Sequence, residues 1–234
     1  MIDSFNRKID YLRFSVTDRC DLRCRYCMPE KMKFTNKKDT LSVDEMKKIS
    51  EIFFFLGFKK IRITGGEPLI RKDILEFLSF LSTKLMKKDI QEINLTTNGT
   101  MLHRYSEKLY SYGIKRINVS LDSLVPEKYS FITNGGHLHK VIRGIKLASD
   151  FGIKIKINTV LLKNFNECEI LNLIDWCSNN NFDISFIEVM PIGETSSKRK
   201  DQFMSICSAK KIIEKKYKLI CDEYKTNGPS RYFY

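Results

Sequence analysis

The sequence predicts an α/β protein of six (β/α) units whose parallel strands form a partial, TIM-like (β/α)6 barrel. Three observations predict it. Six short runs rich in β-branched residues alternate with longer helical patterns, an order that implies parallel strands joined by right-handed crossovers. The runs read as near-continuous apolar segments, as expected of strands covered on both faces. The 234 residues also fall short of the roughly 250 that eight units need, at about 31 each. A doubly wound open sheet shares this local pattern and stays open at this stage.

The first strand is predicted at Tyr11–Val16. Ser42-Val-Asp-Glu45 is a capping-box start, and the helix it opens should stop near Gly57. Strands follow at Lys60–Thr64, Glu92–Thr96, Arg116–Leu121, Lys154–Leu161 and Ile184–Val189. Helices are predicted at Arg71–Met86, Tyr105–Tyr112, His139–Phe151, Asn166–Asn179 and Ser208–Tyr217. The polar stretch Gly193–Gln202 reads as a loop. The chain ends on Tyr232-Phe-Tyr234, apolar aromatics that read as the start of a further strand. No internal repeat or linker interrupts residues 1–234, which read as one domain.

Hydrophobic residues make up 42% of the chain, too rich for a disordered, collagen-like or low-complexity protein. The longest strongly apolar stretch, Ile52–Phe58, is far below the about 20 residues of a membrane span. Met1–Arg13 is charged throughout and carries no apolar signal core. A cytoplasmic, non-membrane protein is the expectation, and in that reducing setting the seven cysteines point to metal binding, catalysis or burial rather than disulfides. The net charge of +13 comes from 29 Lys and 12 Arg against 28 acidic residues. No basic run reaches five residues, so a nucleic-acid partner is not expected.

Cys20-Asp-Leu-Arg-Cys24-Arg-Tyr-Cys27 is the sharpest chemical signal. Three thiols lie directly after the first strand, on the C-terminal rim where barrel active sites are built. Such a set can wrap one cubane iron–sulfur cluster and leave one iron open to an exogenous ligand. A three-ligand zinc site and buried inert thiols are the alternatives. Arg13, Arg62 and Lys156 sit on the first, second and fifth strands. A cation inside a core-like run is costly unless it is paired or faces a cavity, so their convergence suggests a polyanion pocket. Gly65-Gly66-Glu67-Pro68 follows the second strand; its glycines allow backbone groups to approach a ligand closely, and carbonyls or a carboxylate there suit the three N–H donors of an ammonium, a tight βα turn being the alternative. The remaining thiols (Cys168, Cys177, Cys207 and Cys221) are scattered and read as buried core residues.

These motifs together carry a resemblance. Tyr11-Leu-Arg-Phe-Ser-Val-Thr-Asp-Arg-Cys20 leads into Tyr26-Cys-Met-Pro29. Arg62-Ile-Thr-Gly-Gly-Glu-Pro68, Thr96-Thr-Asn-Gly99, Asn118-Val-Ser-Leu-Asp-Ser123, Lys156-Ile-Asn-Thr-Val160 and Phe186-Ile-Glu-Val-Met-Pro191 follow. In this order they resemble the GTP 3′,8-cyclase (MoaA) family of the radical S-adenosylmethionine (SAM) superfamily, from about Arg7 to Arg231. The resemblance implies a lyase of molybdenum-cofactor biosynthesis, converting GTP to (8S)-3′,8-cyclo-7,8-dihydroguanosine 5′-triphosphate through a 5′-deoxyadenosyl radical. It implies a 4Fe–4S cluster on Cys20, Cys24 and Cys27, with SAM at the open iron. Tyr26, Gly66, Ser120 and Met190 would contact SAM. Arg13, Arg62, Thr96 and Lys156 would contact GTP. An electron donor is implied, and homodimerisation is left open. No protein acid–base group is required.

Two departures from the family stand out. Ser185 replaces the usual Arg before Phe-Ile-Glu. The C-terminal extension that carries a second 4Fe–4S cluster at the guanine end of GTP is absent, and Cys207 and Cys221 lack its C-x2-C element. The sequence therefore reads as a radical SAM core domain cut short at its C-terminus. Alternatives are another radical SAM enzyme or a non-catalytic iron–sulfur or zinc remnant.

Overall fold

A computed structural model describes residues 2–29, 31–190, 199–223 and 230–234. Six strands follow one another in chain order across one parallel sheet: β1 (Tyr11–Ser15), β2 (Lys60–Thr64), β3 (Glu92–Thr97), β4 (Arg116–Ser120), β5 (Lys154–Leu161) and β6 (Asp183–Glu188). Every strand matches its prediction to within one residue at either end. The chain forms two compact units. Met1–Asp21, Lys31–Val119 and His139–Ile155 make the first, and Leu22–Glu30, Ser120–Leu138 and Lys156–Tyr234 the second.

The first unit contains β1 to β3, most of β4, and helices α1 (Val43–Phe55), α2 (Ile74–Met86) and α3 (Leu102–Ser111). Ser42 Oγ accepts the Glu45 amide, and Glu45 Oε2 accepts the Ser42 amide at 2.8 Å, so the predicted capping box is formed. A chain turn at Gly57, with φ of +92°, ends this helix region as expected. The α2 helix starts later than predicted because Pro68–Ile70 forms a separate 3-10 turn. Arg71 is outside the helix. Its guanidinium instead donates to the carbonyls of Val16 and Leu41 at 2.6 and 2.8 Å, tying the exit of β1 to the start of α1.

These strands are not apolar on both faces. Phe14, Ile61, Ile63, Ile93, Leu95, Ile117 and Val119 are buried on one face, where Phe14 packs on Phe77 of α2 with ring centroids 5.7 Å apart. Each large apolar side chain so buried contributes about 1.5–3 kcal/mol. The alternate residues are polar. Register places Arg13, Arg62, Asn94 and Arg116 in one row across β1 to β4. The abundance of branched residues hides this period of two in the sequence.

The second unit contains most of β5, β6, and the helices α4 (Pro126–Thr133), α6 (Ile170–Asn179), α7 (Arg199–Gln202) and α8 (Ile206–Ile213); α5 (Leu138–Asp150) belongs almost wholly to the first unit. The α4 helix was not predicted. Pro126 opens it at the first-turn position suited to proline, and Asn134 closes it in the left-handed region at φ 57°. The α6 helix begins four residues later than predicted. Asn166 is buried outside it, donating to the Asp122 and Val160 carbonyls and accepting from the Leu162 amide, all at 2.9 Å. Of the predicted loop Gly193–Gln202, residues 193–198 lie outside the described residues, and Arg199–Gln202 is helical. The aromatic C-terminus is a strand, as expected: β8 (Tyr232–Phe233) pairs antiparallel with β7 (Cys221–Asp222). Leu161, Ile170, Met204, Ala209 and Ile213 form a core cluster of this unit, with Ile174, Phe186 and Tyr217 packed against it.

Candidate cluster and nucleotide site

In the first unit, the chain leaving β1 lies against the turn after β2. The Gly66 amide donates to the Thr17 carbonyl at 2.6 Å and the Glu67 amide to the Arg19 carbonyl at 2.8 Å. A side chain on Gly66 would meet the Arg19 carbonyl oxygen at 2.1 Å. The close approach that makes glycine necessary here is therefore the chain's own. Gly66→Ala is expected to destabilise the protein by about 1–3 kcal/mol, the cost of overpacking against unyielding backbone. A thermal melt by circular dichroism checks this, and an unchanged midpoint would mean that Thr17–Arg19 shifts freely.

Glu67 is buried beneath this turn. Its Oε1 accepts from the Leu69 amide at 3.0 Å and Thr97 Oγ1 at 2.8 Å, and its Oε2 accepts from the Asn98 amide at 2.6 Å. Burial pushes its carboxyl up to about 7 against the pull of those three donors. It thus clamps the Thr96-Thr-Asn-Gly99 segment to the Gly-Gly-Glu-Pro turn. Beyond the clamp, the Asn98 amide nitrogen points at Cys20 Sγ at 3.7 Å and at Asp21 Oδ1 at 2.7 Å. Thr100 Oγ1 donates to Asp21 Oδ2 at 2.7 Å. Sequence reading offered a carboxylate in this turn to an ammonium, whereas Glu67 here accepts from donors of the chain itself; it assigned Asn98 no role, although that residue stands inside a motif it singled out.

The same unit holds Arg13, Arg62 and Thr96 on the polar face of the sheet. Arg13 is exposed, and Arg62 is half-buried over the Tyr11 ring at 5.2 Å. Burial lowers the Arg62 pKa. Arg62 Nε, Asn94 Oδ1 and Arg116 Nε are buried without a hydrogen-bond partner, which fits a face that receives a polar or anionic ligand. Arg116, which also donates to Glu92 at 3.1 Å, was missed because it opens its strand beside a charged flank. Register sets Thr96 opposite Asn118.

In the second unit, the rest of the cysteine loop is anchored by its backbone. Arg23 and Arg25 amides donate to the Thr133 and Ile132 carbonyls at 3.1 and 2.9 Å, and the Arg25 guanidinium covers the Phe131 ring at 4.1 Å. The amides of Cys27 and Met28 both donate to the Cys24 carbonyl, making a tight turn. Tyr26 donates its hydroxyl to Asp122 Oδ2 at 2.7 Å, and Asp122 Oδ1 accepts the Val160 amide at 2.8 Å. Burial pushes the Asp122 carboxyl up to about 6. Burial, then the Asp122 charge, raises the Tyr26 hydroxyl well above its usual value. Asp122 thereby fastens the loop to the end of β4.

Ser120 is half-buried at the end of β4, and Met190 is exposed just past β6. Lys156 is buried. Its ammonium donates to Tyr232 Oη at 2.8 Å and lies 4.5 Å from that ring's centre. Ser185 pairs in register with Asn158. Among the scattered thiols, Cys177 is buried and pushed up to about 12 by burial. Cys168, Cys207 and Cys221 are exposed, contrary to the core reading. They lie on a 3-10 turn, on the first turn of α8 and on the short strand β7.

None of the three loop cysteines is in a disulfide; Cys20 and Cys24 are half-buried and Cys27 is exposed. Soft thiolates with an N–H donor aimed at one sulfur suit an iron–sulfur cluster. Among the described residues, no three His, Cys, Asp or Glu side chains are arranged to hold a single metal ion. Cluster thiolates bind separate irons and need no such convergence.

The radical SAM superfamily profile matches residues 14–177, and the chain belongs to that superfamily. Its cofactors are accordingly a 4Fe–4S cluster and SAM. A GTP 3′,8-cyclase of Mesorhizobium japonicum is 45% identical over 232 residues, spanning 99% of this chain and 70% of its own. The GTP 3′,8-cyclase of Brucella ovis is also 45% identical, over 99% of this chain and 67% of its own. Within the superfamily, the chain thus belongs to the GTP 3′,8-cyclase family. The crystal structure of Streptococcus suis SuiB bound to S-adenosylmethionine superposes with a TM-score of 0.72 at 22% identity, covering 88% of this chain and 46% of that one. That likeness shows the fold, an α/β partial barrel of six parallel strands. No helix among the described residues is long and apolar enough to cross a membrane.

Proposed function

We propose that this chain, acting as one radical SAM core domain, carries out the 3′,8-cyclisation of GTP. The observation that carries the reading is 45% identity to GTP 3′,8-cyclases over 99% of the chain. Cys20, Cys24 and Cys27 hold the cluster, which when reduced supplies the electron that opens the sulfonium bond of SAM. The chain's residues bind and orient. The loop anchored through Tyr26 and Asp122 presents the adenine contact. The Gly66 backbone faces the SAM ammonium, Ser120 its carboxylate, and Met190 its apolar flank. Arg13, Arg62 and Lys156 hold the triphosphate, with Thr96 beside them. The unpartnered Arg62 Nε supports an anion on that face. An external one-electron donor, a cytoplasmic setting suited to free thiols, and homodimerisation complete the reading.

The test is anaerobic reconstitution with iron and sulfide, then EPR of the reduced protein with and without SAM. About four irons per chain and a signal altered by SAM are expected, with 5′-deoxyadenosine formation that rises when GTP is added. SAM cleavage stimulated by a peptide and not by GTP would assign the chain to a different radical SAM reaction. Zinc in place of iron would leave a non-catalytic remnant.

A further inference from the structure

We infer that Asn98 is a positioning residue that directs an N–H donor at Cys20 and raises the reduction potential of the cluster held there. The inference rests on the cluster reading above. Its geometry lies wholly within the first unit.

An amide can point either end at a neighbour, and here the surroundings decide. Asn98 Oδ1 accepts from the Thr100 amide at 3.0 Å. A backbone N–H is only a donor, so the oxygen must face Thr100 and the NH2 must face the other way. That NH2 carries two hydrogens. Asp21 Oδ1 takes one at 2.7 Å, and Cys20 Sγ lies at 3.7 Å for the other. Asp21 is itself held by Thr100 Oγ1. The Asn98 backbone is fixed independently, because its own amide donates to Glu67 Oε2. The side chain is therefore aimed from both ends before any ligand arrives.

The chemistry follows from charge. A cluster gains negative charge on reduction, and an N–H directed at a ligating sulfur stabilises the reduced form more than the oxidised one. The same NH2 also stands between two anionic groups, the Asp21 carboxylate and the thiolate, and moderates their repulsion. Removing it makes reduction harder.

The experiment compares the reconstituted wild-type chain with Asn98→Leu, which keeps the size and the backbone N–H but removes the donor. Iron content tests the cluster reading, and an EPR-monitored redox titration without SAM tests the inference. Expected is full iron with about a tenfold less favourable one-electron reduction, a fall of about 59 mV in midpoint. An unchanged midpoint with full iron overturns the inference. Iron-free wild-type protein overturns the cluster reading and the inference with it. Should the leucine variant fold without retaining iron, Thr100→Val decides. It removes the hydroxyl that holds Asp21, the partner of the other Asn98 N–H, so a smaller fall supports the inference and no fall overturns it.

Discussion

Cys24→Ala should reduce iron retention to background and take 5′-deoxyadenosine formation below detection, while leaving the fold intact. The separation of the two effects comes from where the local bonds lie. The Cys24 contribution to its turn is its carbonyl, which accepts the Cys27 and Met28 amides, and alanine keeps that carbonyl. Tyr26 still reaches Asp122, and Arg23 and Arg25 still hold the α4 carbonyls. Cys24 is only half-buried, so its removal opens no large cavity. A melting shift under about 4 °C is expected, the effect of about 1 kcal/mol in a chain of this size. With one of three thiolates gone, the cluster has too few ligands, and no electron reaches SAM. Full iron or persistent SAM cleavage in this variant would remove Cys24 from the ligand set. Loss of the cooperative melt would instead give Cys24 a structural role.

The backbone plan was largely legible because it is written in local signals. Ser42 and Glu45 form their capping box where the spacing placed it, and each strand falls where a β-branched run stands. What failed were features decided by distant partners. Asn166 looks like a helix start, but its amide is spent on Leu162, Asp122 and Val160, so α6 begins later. Arg71 looks like a helix residue, but the carbonyls of Val16 and Leu41 claim it. The strands looked apolar throughout because Ile and Val dominate them. Only the register shows Arg13, Arg62, Asn94 and Arg116 sharing a row. At the site, the motifs drew attention to segments, and the structure adds contacts within them that spacing alone does not show. Glu67 stands in a glycine-rich turn that suggested a ligand, and Gly66 suggested ligand access. In the structure, Gly66 makes room for Arg19 and Glu67 holds Thr97 and Asn98. A sequence does not show which backbone amides a carboxylate thirty residues away will collect.

That clamp sets the second large expected effect. Glu67→Ala leaves the Leu69 amide, Thr97 Oγ1 and the Asn98 amide without their acceptor. Each buried donor so stranded costs about 1–3 kcal/mol, so a loss of at least about 3 kcal/mol is expected in denaturant unfolding. Glu67→Gln is the informative partner. It keeps an acceptor at Oε1 for two of the donors but turns an NH2 toward the Asn98 amide, and should cost about 1–3 kcal/mol. The pH dependence separates packing from charge. The folded carboxyl titrates at about 7, above its ordinary 4.5, so between those values the folded state keeps a proton that the unfolded state has lost. Its stabilising contribution is complete below 4.5 and is lost as pH rises through 7. That gap corresponds to about 3 kcal/mol. Asp122, raised from 3.8 to about 6, adds a decline of the same sign at lower pH. Subtracting the Glu67→Gln profile from the wild type therefore isolates the later step, centred between pH 4.5 and 7. A difference that stays flat over that range would mean the three hydrogen bonds hold Glu67 ionised despite its burial. The clamp would then be a charged one, and Asn98 would be aimed at Cys20 from a fixed negative anchor rather than a neutral one.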